Sequence, residues 1–479
     1  MSLDTHEPKK GVSKQRSFDR RPKQTEQPLT YDLVCVGFGQ TALPLAVNLA
    51  DQDTSASVLF VERNSCWEWQ SENVLPDRQV GSSFLRDLVT TQNPRSAYTF
   101  MNFLHATNQL IRFANNSRLE PSRQLMGQYF RWAAGQIQHL GWVHYGQEAT
   151  HISPLKAKSQ NKVAQWSIQL LSSNNSSTPS TILAKRVIVA TGSQPYIPQS
   201  LSPAPLVLHS SATNSLLSNL HTVKQSLNIA VIGSSQEAAE LFEHLSSARQ
   251  GSHTATLFYP DSALRPADET HSVQDMLERT ESMPGNLPPE VRERLHGQQM
   301  GGVQGPKVDL HTLEALYEAQ YTQKIHERDS SKWRFQMKAL SEVVSTQRDG
   351  ERVRLVVKNT RTGETSISGK AFDVVIAATG YNFSLSKELV DVPAALLDAG
   401  AVSVDREYHV NFRRDTLVPG CGMWLLGSLE DRNARSDDFR WMAERARRAV
   451  KSICREMEVD KKAEPEQRSS QQYGERAMF

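Results

Sequence analysis

Two short runs of small residues have the spacing of turns that hold a dinucleotide's pyrophosphate. The first is Gly37-Phe38-Gly39-Gln40-Thr41-Ala42, set between the apolar run Tyr31 to Val36 and an alanine-rich stretch reaching Ala50. A G-x-G-x-x-A turn between strand and helix does this job for physical reasons. Gly37 permits the tight turn, Gly39 lets the backbone approach a phosphate, and Ala42 lets helix pack closely on strand. The helix N-terminus then offers free N–H groups to the anion. Ser57 to Glu62 reads as the next strand, and Glu62 at its end can accept hydrogen bonds from ribose hydroxyls.

The second run is Gly233-Ser234-Ser235-Gln236-Glu237, entered from the apolar stretch Asn228 to Ile232. Ser235 stands where a second glycine belongs, and its side chain would crowd an approaching pyrophosphate. A helix start capped by Ser234 is the purely structural alternative. Two further strands, Val187 to Ala190 and Phe372 to Ala378, each end in Ala-Thr-Gly, at Thr191-Gly192 and Thr379-Gly380. Two turns, each followed by such a strand, form an internal repeat of architecture. The expected fold is α/β, a two-dinucleotide-binding-domain flavoprotein with FAD at the first turn and a second Rossmann-like domain inserted.

The rest of the chain must position these turns. Residues 1–30 are polar and read as a disordered leader, 31–210 as the first part of the FAD domain, and 211–370 as the nicotinamide domain with substrate-side segments. Residues 371–458 read as the return to the FAD domain with a C-terminal helix, and 459–479 as a disordered tail. Ser172 to Thr181 is expected to be a hairpin turn, and Met283 to Pro306 a long surface loop. The 54 Lys and Arg against 52 Asp and Glu give no field that favours nucleic acid or membrane. No apolar run reaches the roughly 18 residues of a spanning helix, and no secretory signal is visible, so a soluble cytoplasmic protein is expected. Cys35, Cys66, Cys421 and Cys454 form no C-x-x-C and fit reduced thiols better than a disulfide framework or a metal site. There is no G-x-S-x-G, H-E-x-x-H or Walker A sequence, and His105 reads as a packed helical residue rather than a base.

A third group of residues carries a more specific signal. Ser83-Phe84-Leu85-Arg86-Asp87-Leu88-Val89-Thr90 is followed by Asn93-Pro94-Arg95-Ser96, Phe100-Met101-Asn102-Phe103-Leu104-His105 and Tyr129-Phe130-Arg131-Trp132. In this order the chain resembles the flavin-dependent N-hydroxylating monooxygenases, specifically the L-ornithine N5-monooxygenase type of siderophore biosynthesis. The resemblance extends from about Tyr31 to Ile453. It implies FAD, NADPH and O2 as reaction partners, with a primary amine or amino acid, L-ornithine by default, hydroxylated through a C4a-hydroperoxyflavin. A small helical substrate region is implied as well, while assembly into a homo-oligomer stays open.

By the same resemblance the amino-acid substrate is held at Arg86, Gln274 and Trp441, where the family carries lysine, asparagine and serine. Cofactor contacts fall at Gly37, Gly39, Ala42, Glu62, Arg63, Trp69, Gln70, Gly81, Ala149, Asp438 and Phe439 on the flavin side. They fall at Gly233, Ser234, Ser235, Gln236, Glu237, Arg265, Thr379 and Gly380 on the nicotinamide side. No side chain is assigned as an acid, base or nucleophile, because the flavin supplies the chemistry. Gly81 stands for a family glutamine beside the flavin, Gln40 for a proline, and Pro260 for an arginine beside the NADPH adenosine. Those departures leave NADPH over NADH open. They also leave room for a flavin monooxygenase of another substrate class, or for a nucleotide-binding relative without activity.

Overall fold

The computed structural model describes residues 28–69, 75, 78–116, 119–157, 161–172, 179–201, 206–213, 216–217, 226–247, 253–267, 270, 272, 307–382, 388–427 and 439–476. In the last stretch it describes the side chains of 442–460. The chain opens with β1 (Thr30–Val36), α1 (Ala42–Asp51) and β2 (Val58–Glu62), as the spacing of the first turn requires. Helices α2 (Phe100–Ala106), α3 (Leu110–Asn115) and α4 (Arg123–His139) follow. Then come β3 (Val143–Tyr145), β4 (Gln147–Lys156), β5 (Val163–Ser172) and β6 (Ser180–Val189). These strands form one sheet in the order β3-β2-β1-β6-β5-β4. β3, β2, β1 and β6 run parallel, whereas β4, β5 and β6 make an antiparallel meander.

A central parallel strand is covered on both faces, so its side chains need no polar alternation. That explains the unbroken apolar run Leu33 to Val36, every residue of which is buried. Helix α1 is buried from Ala42 to Leu49, and Pro44 is tolerated because the first turn has no intrahelical partner for its missing N–H. One face of the sheet, with α1 and α4, closes over Phe60, Trp67, Trp69, Phe100 and Tyr129. The other face packs Trp166, Ile168 and Leu425.

The chain continues through β7 (Gln194–Pro195), β8 (Val207–His209), β9 (Asn228–Ile232), α5 (Gln236–Ser247) and β10 (Thr254–Phe258). Next are α6 (Leu310–His326), β11 (Phe335–Lys338), β12 (Ser341–Asp349), β13 (Arg352–Asn359), β14 (Thr365–Ile367), β15 (Val374–Ala377) and β16 (Tyr381–Asn382). A second parallel sheet runs β11-β10-β9-β15-β8, beside the antiparallel meander β12-β13-β14. The repeat read in the sequence is therefore a repeat of parallel sheet plus meander. The strand Gly422–Leu425 returns to pair with β6, and α7 (Phe439–Arg476) covers α1.

Strand pairing moves the expected domain boundaries. β8 already belongs to the second sheet although it precedes residue 211, and β15 still belongs to it beyond residue 370. Both linkers cross between domains at β7 and β16, which pair with each other antiparallel. α7 runs on to Arg476, past residue 459 where a disordered tail was expected; Glu, Lys, Gln and Arg, all good helix formers, dominate that polar stretch. The leader through residue 27, the tip of the β5–β6 hairpin at 173–178 and the Met283 to Pro306 loop lie outside the described residues. No helix among the described residues is long and apolar enough to cross a membrane.

Candidate active site

The two glycine turns are built alike. Gly37 has φ +96°, and a Cβ there would run into the carbonyl of Ala190 at the end of β6. Gly233 has φ +144°, and its Cβ would run into the carbonyl of Ala378 just after β15. Each turn is thus seated on the alanine of an Ala-Thr-Gly strand, which is why the two motifs occur as pairs in the sequence.

Above the first turn the space is open. A Cβ on Gly39 would meet nothing within 4 Å, and Thr41 makes no side-chain cap at the start of α1. Glu62 is fixed by two backbone donors, Phe38 N–H at 2.8 Å and Asn64 N–H at 2.9 Å, one on each carboxylate oxygen. A carboxylate oxygen has a second lone pair, so both can still accept from ribose hydroxyls. Tyr145 pairs in register with Glu62, and burial together with that carboxylate pushes its phenol up to about 12, so it stays protonated. Gly146 N–H donates to Asn64 O at 2.9 Å, which brings the β3–β4 corner, and Ala149 just beyond it, to the end of β2. Arg63 is exposed beside this corner.

Beyond Glu62 the chain carries buried polar atoms with no hydrogen-bond partner among the described residues: Trp67 Nε1, Gln79 Oε1 and Ser82 Oγ. Buried polar groups are normally paired. A flat cofactor with polar edges is a group that such orphans fit, and the open cradle over Gly39 fits its pyrophosphate. Trp69 is buried and donates to Gln40 Oε1 at 3.0 Å, while Gln40 Nε2 reaches Met442 Sδ on α7 at 3.5 Å. The residue standing for the family proline therefore ties the turn to the C-terminal helix. Gly81 lies exposed at φ +69° with open space where a Cβ would be.

Arg86 sits half-buried in the 83–90 loop, its N–H donating to Ser83 O at 2.9 Å. Its neighbour Asp87 holds that loop in shape. The Asp87 carboxylate accepts from Val89 N–H at 2.9 Å and from Thr90 N–H, Thr90 Oγ1 and Phe100 N–H at 2.6 Å each. Burial pushes the Asp87 carboxyl up, against the opposing pull of those donors. The Tyr129 hydroxyl oxygen also accepts from Leu88 N–H at 3.2 Å. Asp87 and Tyr129 belong to the motif that carries the resemblance, yet sequence alone gave them no task. Their task is to fix the backbone that presents Arg86.

On the second turn, Ser235 rather than Ser234 supplies the cap, its Oγ accepting from Ala238 N–H at 3.4 Å. Gln236 spends its side chain on protein: Nε2 donates to Glu240 at 2.8 Å and to Asp309, and Oε1 accepts from Asp309 N–H at 2.7 Å. Glu237 and Ser234 are half-buried in the same turn. Gly233 N–H donates to Phe258 O at 3.0 Å, which puts the end of β10, and the loop to Arg265, beside the turn. There Arg265 pairs with Asp261 at 2.8 Å. Thr379 Oγ1 donates to Tyr196 O, and Gly380 O accepts from Tyr196 N–H at 3.0 Å and from His209 Nε2 at 2.9 Å. His209, the last residue of β8, carries no spacing signal in the sequence.

Gln70, Gln274 and Asp438 lie outside the described residues, and Phe439 and Trp441 are placed only as backbone of the first turn of α7. His105 is exposed on α2 rather than packed. Among the described residues no group of His, Cys, Asp and Glu could hold a metal ion.

Known proteins resemble this chain over most of its length. Residues 29–383 match the family model described as L-lysine 6-monooxygenase/L-ornithine 5-monooxygenase. The L-ornithine N(5)-monooxygenase of Emericella nidulans is 30% identical over 483 residues, covering 95% of this chain and 95% of its own length. The ornithine N-hydroxylase of Kutzneria sp. 744, solved with reduced FAD, NADP+ and L-ornithine, shares 26% identity and a TM-score of 0.77, over 89% of this chain and 99% of that one. The ornithine hydroxylase of Pseudomonas aeruginosa shares the fold, with a TM-score of 0.76 at 24% identity over 90% of this chain and 100% of its own.

Proposed function

The chain belongs to the L-lysine 6-monooxygenase/L-ornithine 5-monooxygenase family, and from that premise we propose that it hydroxylates the side-chain amine of L-ornithine with FAD, NADPH and O2. One observation carries the reading: the Arg86 loop is pinned by Asp87, and the segment leading into it holds buried polar atoms, Gln79 Oε1 and Ser82 Oγ, with no hydrogen-bond partner among the described residues. Bound flavin supplies hydride acceptance and oxygen activation. The protein's residues bind, orient and exclude water.

The Gly37 turn and Glu62 would hold the adenosine diphosphate part of FAD, and the Gly233 turn with Arg265 that of NADPH. Arg265 lies in the loop that follows the second strand of its unit, where a cation can meet a 2′-phosphate. Arg86 would grip the substrate carboxylate with a two-pronged guanidinium. Only the neutral amine is a nucleophile, and a pocket that excludes water disfavours its ammonium form. Four free cysteines suit a reducing compartment, so a cytoplasmic site of action is part of the proposal.

The test is an amine panel. Purified protein with FAD and NADPH should convert L-ornithine to a hydroxylamine, L-lysine more slowly, and the decarboxylated diamine poorly. Turnover of the diamine equal to that of ornithine would remove Arg86 from the substrate site. Product from no amine would overturn the reading.

A further inference from the structure

A short antiparallel bridge sets two arginines side by side at the edge of the first domain. Gln79 bridges Ser122, Arg123 N–H donates to Arg78 O at 2.7 Å, and Val80 N–H donates to Pro121 O at 3.1 Å. Both guanidinium groups reach across to α5 of the second domain. Arg123 grips Glu240 with two nitrogens, at 2.9 and 3.0 Å, and Arg78 pairs with Glu243. Gln236, Glu240 and Glu243 recur at the i, i+4, i+7 spacing that shares one helix face. The stripe continues through Gln236 to Asp309, the cap of α6.

These are not solvated surface pairs, which contribute little. The Glu240 side chain is 7% exposed and Arg123 19%, and Arg78 and Glu243 are 20% and 15% exposed. Removing one partner of so buried a pair leaves an uncompensated charge. Position adds to burial. The first-domain end of the clamp opens the loop that carries Gly81, Ser82 and Arg86, and the second-domain end is the helix that starts at the Gly233 turn. Two linkers, paired as β7 and β16, also join the domains, and rotation about such a pair is the default soft motion between domains.

We propose that Arg78 and Arg123 are positioning residues for hydride delivery, locking α5 so that the nicotinamide of a cofactor held by its diphosphate at the Gly233 turn meets the flavin beside the 78–90 loop. The inference rests on the proposed function for its cofactors, but the lock itself belongs to the protein alone. Hydride transfer tolerates little displacement, and a misplacement of about 1 Å can cost about 10²-fold.

The experiment compares R123E, E240R, the double reversal R123E/E240R and the milder R78Q with the wild type. In protein stripped of cofactors, hydrogen exchange across 236–247 should rise in R123E and E240R and return in the double reversal. In the holoenzyme, anaerobic flavin reduction by NADPH should slow by about 10²-fold in the single reversals and by about tenfold in R78Q. Reoxidation of flavin reduced with dithionite should change less than about twofold, because that step needs no hydride alignment. The double reversal should recover most of the reduction rate. Wild-type exchange in R123E would overturn the clamp while leaving the functional reading intact. Single reversals that reduce as fast as wild type, or a double reversal as slow as the singles, would overturn the positioning role. A wild-type protein that NADPH does not reduce would overturn the functional reading and the positioning role with it.

Discussion

A methyl group added at Gly37 has nowhere to go, whereas one added at Gly39 points into open space. The two glycines of one turn should therefore fail differently. Gly37→Ala should lower the melting temperature of the apoprotein, since the Ala190 backbone must shift to admit it. Gly39→Ala should leave that temperature unchanged and weaken FAD binding, as read by flavin fluorescence. Equal loss of apoprotein stability in both would refute the idea that Gly39 is kept open for a ligand. Arg86 supplies the second residue-scale prediction. A hydrogen bond to a charged group is worth about 1.5–3 kcal/mol. Arg86→Ala should therefore cut kcat/KM for ornithine by about 10- to 100-fold, mostly through KM, with little change for the decarboxylated diamine. Arg86→Lys, which restores the charge without the fork, should recover part of the loss.

At the scale of elements, the paired linkers are held by a histidine. His209 donates Nε2–H to Gly380 O, an acceptor only, while Nδ1 accepts from Ser211 N–H at 3.1 Å. Burial lowers its pKa below the ordinary histidine value, against the opposing pull of the Gly380 bond. The unfolded chain, with histidine near about 6.5, therefore binds more protons than the fold just below that pH. Stability from a neutral His209 is present above about pH 6.5 and is lost as pH falls through its folded value. Thermal melting followed from pH 8 downward should show this fall, and H209Q should flatten it. A second element-scale prediction concerns α7, docked where buried Arg186 meets Asp460 at 3.0 Å and Glu456 O at 3.1 Å. Asp460→Ala should cost about 3 kcal/mol, read as a lower melting temperature, because it leaves Arg186 unpaired. Such long-range pairs mark the limit of what the sequence could reveal. The strands and helices around Gly37 and Gly233 were legible because a turn, an apolar run and a close-packed alanine are local signals. Nothing local links Arg123 to Glu240, Arg186 to Asp460, or His209 to Gly380. The spacing of Gln236, Glu240 and Glu243 was visible, but it marks a helix face without saying what covers it. The domain boundaries slipped for a related reason, since β8 and β15 join the second sheet through pairing across the chain.

For the molecule as a whole, the repeated unit explains the division of labour. Each half offers a glycine turn seated on an Ala-Thr-Gly strand; the loop from Arg78 to Thr90 carries Arg86, and Arg78 with Arg123 beside it ties the first half to the second. Such a frame can bring a hydride donor and an amine to one flavin. The balance it must satisfy is one amine, one O2 and one NADPH with a proton giving one hydroxylamine, one NADP+ and one water. Turnover of L-ornithine under 18O2 tests that balance most directly, with NADPH consumption and product mass read together. The account predicts a single 18O atom on the side-chain nitrogen of ornithine, with NADPH oxidation stimulated by the amine. NADPH oxidation that yields only hydrogen peroxide, or a product without the label, would contradict it.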